Sequence, residues 1–236
     1  MSGTVWVAGQ DRTLPYDIEN VKRWPDVLEP GEPVVMTEKV HGTMLGCGVM
    51  PDSLADPDHG RAVVFSKGLG VKGLAFDLRE GARNVYTRSV REHGVLEAIE
   101  TTFDEDLREV PVFVLGEVFG AGIQDLAYGA DRGFRVFDIY VGRRNEGQFL
   151  DDEELEDACA SMGLDRVPVV YRGPFSYKAL AQHTSGTETV SGEGAHLREG
   201  VVVRPVKERE DPGLGRVQLK SVSDDYLTRK GGTEYT

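Results

Sequence analysis

Short β-branched apolar runs, separated by glycine-rich turns and interrupted by only a few helical stretches, place the strongest constraint on the fold. The predicted strands are Val34–Met36, Gly46–Met50, Ala62–Ser66, Val112–Phe119, Phe134–Val141, Pro168–Tyr171, Gly200–Arg204 and Arg216–Lys220. Because helices do not alternate regularly with these strands, the pattern disfavours a doubly wound parallel sheet. It favours an α+β fold of mainly antiparallel sheets with flanking helices.

Three segments predict helices. The longest covers about residues 81–102, where valine, leucine and isoleucine recur near helical spacing. A second begins near residue 150, capped by Asp151 or Asp152, and ends at Met162 before Gly163. A third covers about residues 176–183. Residues 51–60 predict a hairpin-like surface loop, and the polar, glycine-rich residues 184–194 predict a mobile segment beside a site.

The chain has 236 residues and a formal net charge of -13, which argues against broad coating of nucleic acid but allows a local basic groove. No apolar run approaches the ~20 residues of a membrane span, and the N-terminus lacks a signal pattern. We therefore expect a cytoplasmic protein that contacts no membrane. Residues 1–30 predict a short N-terminal lead-in and residues 31–236 one domain. Cys47 and Cys159 are expected to be buried, reduced thiols.

Lys39 is the candidate nucleophile. It directly follows an apolar run and stands three residues before Gly42, in the hexapeptide 38–43, EKVHGT. A desolvated lysine, or one beside other cations, loses proton affinity and becomes a usable amine nucleophile. The glycine leaves room for a ligand to approach the backbone. Most lysines at strand ends are merely solvated, so the hypothesis depends on the rest of the chain.

Four other segments place a chemically active side chain on a predicted strand: Glu117, Phe137, Glu199 and Lys220. Singly, they predict an ion-pair member, a core aromatic, a strand-edge acid and a solvated terminus. Together with Lys39 they are what nucleotide transfer to an amine requires. The aromatic ring stacks on a purine, one carboxylate accepts from ribose hydroxyls, and another holds a divalent metal against phosphate. The second lysine stabilises the α-phosphate and lowers the pKa of the nucleophile.

In this order, the motifs resemble those of ATP-dependent RNA ligases of the covalent nucleotidyltransferase superfamily. Residues 38–43 resemble the KxxG lysine motif in its RNA-ligase form, and residues 116–124 resemble the GExxGxGxQ segment of RNA ligase 2-like enzymes. Residues 137–138 are similar to the adenine-stacking strand, 199–202 to the acidic motif, and Lys220 to the last lysine motif. Residues 125–129 and 223–227 resemble the bacterial nick-sealing type. The resemblance extends from about residue 17 to 227.

The resemblance implies an ATP-grasp-like ligase adenylation domain over residues 31–236, with no separate OB-fold. It implies that Lys39 attacks ATP to form lysyl-AMP, that AMP then moves to an RNA 5′-phosphate, and that a 3′-hydroxyl displaces it. The implied cofactors are ATP and Mg²⁺ or Mn²⁺. The implied partner is RNA or a nicked RNA/DNA duplex, in RNA or nick repair.

The resemblance also assigns residues. Lys39 and Lys220 are the implied catalytic residues, and Glu199 the implied metal ligand. His41 lines the pocket or simply makes a local hydrogen bond. The implied nucleotide-binding residues are Thr37, Glu38, Lys39, Gly42, Thr43, Lys67, Glu117, Phe137, Glu199, Gln218 and Lys220.

The chain departs from the family pattern in three places. Lys67 stands where an arginine is usual and so lacks the bidentate fork, and Gln218 replaces the first lysine of the final motif. Most relatives carry an additional N- or C-terminal domain that clamps nucleic acid, and the segments before residue 31 and after residue 226 look too short to form one. We therefore expect that a clamp domain or a partner protein is supplied in trans. Three alternatives stay open: a capping-type guanylyltransferase, a non-catalytic nucleotide- or RNA-binding module on a ligase scaffold, and a structural interaction protein.

Overall fold

We describe the protein from a computed structural model that covers residues 3–81 and 83–229. Residue 82, in the predicted first helix, and residues 230–236, in the predicted domain, lie outside the described part. Over the described ranges the chain forms the strands β1 Val5–Val7, β2 Glu19–Asn20, β3 Pro33–Glu38, β4 Thr43–Val49, β5 Ala62–Ser66, β6 Leu74–Phe76, β7 Val112–Phe119, β8 Gly133–Val141, β9 Gln148–Phe149, β10 Val169–Pro174, β11 Gly200–Pro205, β12 Glu210–Asp211, β13 Gly215–Arg216 and β14 Leu219–Val222. The α-helices there are α1 Lys67–Val71, α2 Val85–Glu92, α3 Val95–Thr102, α4 Asp152–Met162, α5 Tyr177–Thr184 and α6 Asp224–Leu227.

Two five-stranded sheets organise the fold. The first has the order β5-β4-β7-β8-β9, and all of its neighbouring strands are antiparallel. The second has the order β10-β3-β11-β14-β2, antiparallel except for the parallel pair β14 and β2. This arrangement confirms the predicted α+β fold of mainly antiparallel sheets. None of the described helices is long and apolar enough to cross a bilayer.

Each sheet buries one face against helices. Val90, Ile99 and Leu155, from α2, α3 and α4, pack with strand residues such as Cys47 and Val114 of the first sheet. In the second sheet, Leu180 of α5 packs in the same cluster as Met36 and Val201. The other face of the first sheet packs largely against the N-terminal segment around Leu14 and Tyr16. A cleft lies between the rest of that face, at Met44 and Glu117, and the second sheet. Short connections, such as residues 39–42 between β3 and β4, carry the chain from one sheet to the other.

The predicted helix over residues 81–102 is wrong as a single helix. Asn84 caps α2, with Thr87 completing a capping box, and α2 ends at Glu92. Gly94 then takes a left-handed conformation with φ 60°, and α3 begins at the next residue. Glycine adopts this conformation without the steric cost that other residues meet. The apolar spacing is similar on both sides of Gly94, which is why the sequence reads as one helix.

The second predicted helix is confirmed with its caps. Asp151 forms a capping box with Glu154, and Gly163 ends α4 in a left-handed conformation. The third is confirmed as α5, where the side chain of Ser176 accepts from the backbone of Ala179. Cys47 and Cys159 are buried free thiols, as predicted, and burial raises the pKa of both.

The last predicted strand, residues 216–220, is divided. Residues 215–216 form β13 in a separate two-stranded sheet with β12, and the second five-stranded sheet takes up the chain only at Leu219. Gln218 lies in the break between them. Within the N-terminal 30 residues, predicted to be a short lead-in, β1 pairs with β6 and β2 extends the second sheet. Residues 184–194, predicted to be mobile, are hydrogen-bonded to Glu38 through Thr189.

Candidate nucleotide site

A cleft of about 370 Å³ lies between the two sheets and holds most of the predicted site residues. Strands β3, β11 and β14 supply one wall, and β4, β7 and β8 supply the other. The predicted residues that line it are Thr37, Glu38, Lys39, Gly42, Thr43, Lys67, Glu117, Phe137, Gln218 and Lys220. Glu199 is not part of the lining, but it contacts Lys39. A cleft of this size is typical of small-molecule sites.

Lys39 lies at the end of β3, where its backbone N–H donates to the carbonyl of Gly200 at 3.0 Å. Its Nζ forms an ion pair with Oε1 of Glu199, and the Lys39 side chain keeps 25% exposure while that of Glu199 keeps 1%. Burial opposes ionisation of Glu199, but Lys39 and His41 together outweigh it and lower the pKa of Glu199. A buried carboxylate therefore fixes an amine that still reaches the cleft.

Gly42 is required by the neighbouring strand. A Cβ at this position would lie 2.2 Å from the carbonyl oxygen of Val118 and 3.1 Å from Cγ of Glu117. The close approach lets the Gly42 backbone bond to the Glu117 carboxyl. The sequence indicated room for a ligand, whereas the space at Gly42 is taken by β7. Burial raises the pKa of Glu117 to about 8, against the opposing effect of Lys39.

Phe137 enters the cleft at a β-bulge. Leu115 pairs with Asp138 and Gly116 pairs with Val136, so Phe137 is the extra residue of β8. Bulges change the direction of a side chain relative to the regular alternation of a strand. The ring centroid of Phe137 lies 5.0 Å from that of Tyr16, at an interplanar angle of 31°. Together the two rings give one side of the cleft an aromatic surface.

Asp138 anchors this bulge through a buried charge cluster. It is fully buried, and Arg216 donates to both of its carboxylate oxygens at 2.8 Å. Tyr16 donates to the same carboxylate, and Gln218 accepts from Tyr16 at 3.0 Å. Burial opposes ionisation of Asp138, yet Arg216 holds its pKa below the usual value. The side chain of Gln218 thus serves this cluster, which explains a glutamine at the position where the resemblance implies a lysine.

The two remaining cations stand at the cleft walls. Lys67 contacts Asp17 at 2.8 Å, with half or more of both side chains exposed. Burial opposes ionisation of Asp17, but the hydrogen bonds from Lys67 and from the Ile18 backbone, with the charges of Lys67 and Lys220, together lower its pKa. Lys220 lies on β14 opposite Val202 of β11, and both line the cleft.

His41 is held from several sides below Lys39. Its Nε2 contacts Asp125 at 2.7 Å, its Nδ1 contacts the hydroxyl of Tyr226 at 2.6 Å, and its backbone N–H donates to Tyr128 at 2.7 Å. Arg229 binds Asp125 and also lies over the ring of Tyr226 at 3.5 Å. Segments 125–129 and 223–227 therefore converge on one buried histidine. This network fixes the loop that carries Lys39.

The residues fit a divalent cation. Oε2 of Glu199 is buried without a hydrogen-bond partner, at 3.6 Å from Nδ1 of His41 and therefore beyond bonding distance. The charge of Glu199 also acts on Glu117. Among the described residues, no group of three or more His, Cys, Asp or Glu side chains forms a complete cage. Mg²⁺ and similar ions usually take one or two carboxylates and complete their shell with substrate phosphates and water.

A model of the RNA ligase family matches residues 32–222, which is most of the chain. The chain belongs to the RNA ligase family. Among solved structures, it is similar to Naegleria gruberi RNA ligase. A point mutant of that protein with AMP and Mn matches at a TM-score of 0.72 and 19% identity, over 96% of this chain and 60% of that one.

The Naegleria enzyme with ATP and Mn gives a TM-score of 0.70 at 18% identity, over 96% of this chain and 61% of that one. The Naegleria enzyme with PPi gives a TM-score of 0.67 at 20% identity, over 91% of this chain and 57% of that one. These matches confirm the predicted ligase nucleotidyltransferase fold. This RNA ligase family member thus spans about 60% of the length of the solved relatives it matches. No curated protein sequence matches it.

The sequence did not predict several residues of the site in this RNA ligase family member. Tyr16 and Asp17 line the cleft from the segment treated as a lead-in, and Arg204 lines it from β11. Arg216 and Asp138 form the anchor of the Phe137 bulge. Only Asp138 carried a signal, as an acid inside an apolar strand next to a predicted stacking residue. The roles of the predicted site residues remain predictions that the geometry supports.

Proposed function

We propose that this chain is the adenylylating part of an ATP-dependent RNA ligase, with Lys39 as the residue that accepts AMP. The observation that carries the proposal is the position of the Lys39 amine. It is held by buried Glu199 at the edge of a cleft that also contains Glu117, Phe137 and Lys220. A nucleophile, an aromatic surface, a raised-pKa acid and a second cation converge within one nucleotide-sized space.

The first step forms a bond between Lys39 Nζ and the α-phosphorus of ATP and breaks the bond to the pyrophosphate oxygen. The amine must lose a proton to attack, and the carboxylate of Glu199 already receives that proton's hydrogen bond. Lys220 supplies positive charge for the α-phosphate. Phe137 and Tyr16 offer the purine a stacking surface, and Glu117 faces the ribose hydroxyls.

Bound Mg²⁺ or Mn²⁺ would supply charge neutralisation for the phosphates, and the carboxylate of Glu199 would hold it. The second carboxylate oxygen of Glu199, Oε2, is buried without a hydrogen-bond partner and is the atom that would be available to such a cation.

The later steps pass AMP to an RNA 5′-phosphate, after which a 3′-hydroxyl displaces AMP and closes the phosphodiester, as in RNA or nick repair. The substrate we propose is RNA or a nicked RNA/DNA duplex. A clamp domain or a partner protein would hold that substrate against the cleft. The net charge of -13 supports such help, because phosphate backbones bind positive surfaces.

The experiment is label transfer from α-labelled ATP, GTP and labelled NAD in the presence of Mg²⁺ or Mn²⁺. We expect ATP to label the protein and Lys39→Ala to abolish the label. Lys72→Ala, an exposed lysine after α1, is the matched control and should keep it. Labelling by GTP alone would identify a capping-type guanylyltransferase. If no nucleotide labels the protein, the adenylylating enzyme is ruled out, and the non-catalytic nucleotide- or RNA-binding module is the hypothesis that stays.

A further inference from the structure

A second cleft of about 400 Å³ continues from the nucleotide cleft. Thr43 lines both, and its hydroxyl contacts that of Tyr86 at 2.8 Å where the two clefts meet. Gln124 also lines the second cleft, and its side-chain amide donates to the carbonyl of Gly42 at 3.2 Å. The second cleft is therefore built on the same loop that carries the candidate nucleophile. Thr43 is the residue through which the second cleft borders the cleft that contains Lys39.

The second cleft is basic on an acidic protein. It is lined by Arg83, Arg88 and Arg132, and none of the described residues lining it is acidic. This is notable in a chain with 40 aspartates and glutamates against 27 lysines and arginines. Arg132 is paired with Glu92, which lies outside the lining. Arg83 and Arg88 are exposed to solvent.

Arg88 is the least neutralised of the three. It is exposed on α2, and within residues 3–81 and 83–229 its side chain forms no ion pair. Arg132 also borders a third cleft, of about 520 Å³, which contains Arg135 and the aromatic rings of Phe119 and Phe134. In that cleft Arg135 is paired with Asp165. The second cleft is therefore lined by arginines without an acidic residue, whereas the third cleft, which shares Arg132, contains Asp165 beside its other arginine.

We propose that the second cleft binds the phosphate backbone of the RNA strand whose 5′-phosphate takes AMP from Lys39. This proposal rests on the proposed function and adds the place where that strand lies. The reacting 5′-phosphate must reach the AMP on Lys39, and Thr43, the first residue of β4 after the loop that carries Lys39, lines both clefts. The phosphates that follow it along the strand then meet Arg83 and Arg88. Guanidinium groups bind phosphate with two parallel hydrogen bonds, which suits them to this role.

The test compares Arg88→Glu with Arg91→Glu. The two arginines lie on α2 and are both exposed, but Arg91 borders a different cavity, with Leu78 and Leu96. The variants thus carry the same charge change on the same helix. The protein is first adenylylated with ATP and freed of nucleotide. A 5′-phosphorylated nicked RNA duplex is then added at a series of concentrations, and single-turnover transfer of AMP to RNA is followed.

We expect Arg88→Glu to raise the RNA concentration for half-maximal transfer about tenfold, which corresponds to one charge-assisted contact. We expect Arg91→Glu to raise it less than about threefold. Lysyl-AMP formation needs no RNA and serves as the measure of correct folding for both variants. Arg88→Ala should also make RNA affinity less sensitive to salt, since one phosphate contact fewer releases fewer counterions.

Equal effects of the two charge reversals on RNA binding would overturn the proposal. They would show that RNA responds to the overall charge of the protein and not to a contact in the second cleft. Absence of saturable RNA dependence at low salt in the adenylylated wild type would overturn it as well. Failure of the proposed function has a different signature, since no lysyl-AMP would then form in wild type.

Discussion

Gly42 has its Cα against the backbone of the adjacent strand, and this contact limits which residue can follow Lys39. The 2.2 Å distance from a hypothetical Cβ to the Val118 carbonyl oxygen involves backbone, which cannot move aside as a flexible side chain can. Substitution there must shift β4 away from β7. The same shift would move Glu117, whose carboxyl bonds to the Gly42 backbone.

Gly42→Ala should lower the free energy of unfolding by about 1–3 kcal/mol, the range typical of overpacking. Gly68→Ala is the control. Its Cβ would meet nothing within 4 Å, and alanine is the better helix former, so Gly68→Ala should be neutral or slightly stabilising. Urea denaturation of both variants measures the difference. Equal stabilities would show that the strands separate at Gly42 without cost.

Glu117 predicts a pH dependence of stability. Burial raises its pKa from the usual 4.5 to about 8, so the folded protein keeps a proton that the unfolded chain has already released. The stabilisation is complete below about pH 4.5 and is lost as pH rises toward 8. Because Glu117→Gln cannot titrate, its stability relative to wild type should increase across that window, by at most about 1.4 kcal/mol per pH unit.

Urea denaturation at successive pH values checks this prediction. Glu100→Gln, an exposed residue of α3, is the control and should parallel wild type. A constant difference between Glu117→Gln and wild type from pH 5 to 8 would mean that Glu117 is ionised in the folded protein throughout that range.

At the scale of elements, the pair of Asp138 and Arg216 connects the two sheets. Asp138 lies on β8 of the first sheet, and Arg216 lies on β13, just before the chain enters the second sheet as β14. Arg216 also bonds Glu208 at 2.7 Å and covers the ring of Phe149 at 3.7 Å. The cluster thus holds both walls of the cleft and the bulge that presents Phe137.

Arg216→Gln should destabilise the protein by about 3–5 kcal/mol, because it leaves the Asp138 carboxylate buried without its charge partner. Arg108→Gln removes an exposed ion pair with Asp104 and should cost less than about 1 kcal/mol. Thermal and urea unfolding measure both. A loss of less than 1 kcal/mol in Arg216→Gln would show that water or another group replaces the guanidinium.

The sequence predicted the elements where the local pattern decides. Strand runs of β-branched residues and the capped helix α4 came out correctly because neighbours along the chain determine them. The break at Gly94 was missed since apolar spacing continues across it. The break at Gln218 was missed because its cause is a distant contact, with Tyr16 and Asp138.

The site residues also divide into those that a local motif predicts and those that depend on distant contacts. Lys39, Glu117, Phe137 and Lys220 stand in motifs with a recognisable order, and the structure brings them to one cleft. The contacts of Tyr16 and His41 join residues more than eighty positions apart. Segments 125–129 and 223–227 carried a resemblance, but no local pattern connects them to His41. The reason for Gly42 was also misread, because the contact is with β7.

At the scale of the whole molecule, an acidic body has one cleft whose described lining contains three arginines and no acidic residue. The formal charge of -13 repels nucleic acid over most of the surface, and the arginines next to Thr43 attract it locally. Such a distribution favours binding of a strand end in one orientation over coating of the strand. Affinity for RNA should therefore fall steeply as salt rises.

The proposed function depends on Lys39 as the residue that accepts AMP. Peptide mapping by mass spectrometry of the protein after incubation with ATP and Mn²⁺ identifies the modified residue. We expect a single AMP adduct on the peptide that contains Lys39, and its loss in Lys39→Arg. An adduct on Lys67 or Lys220, or an unmodified Lys39 under conditions that label the protein, would contradict it.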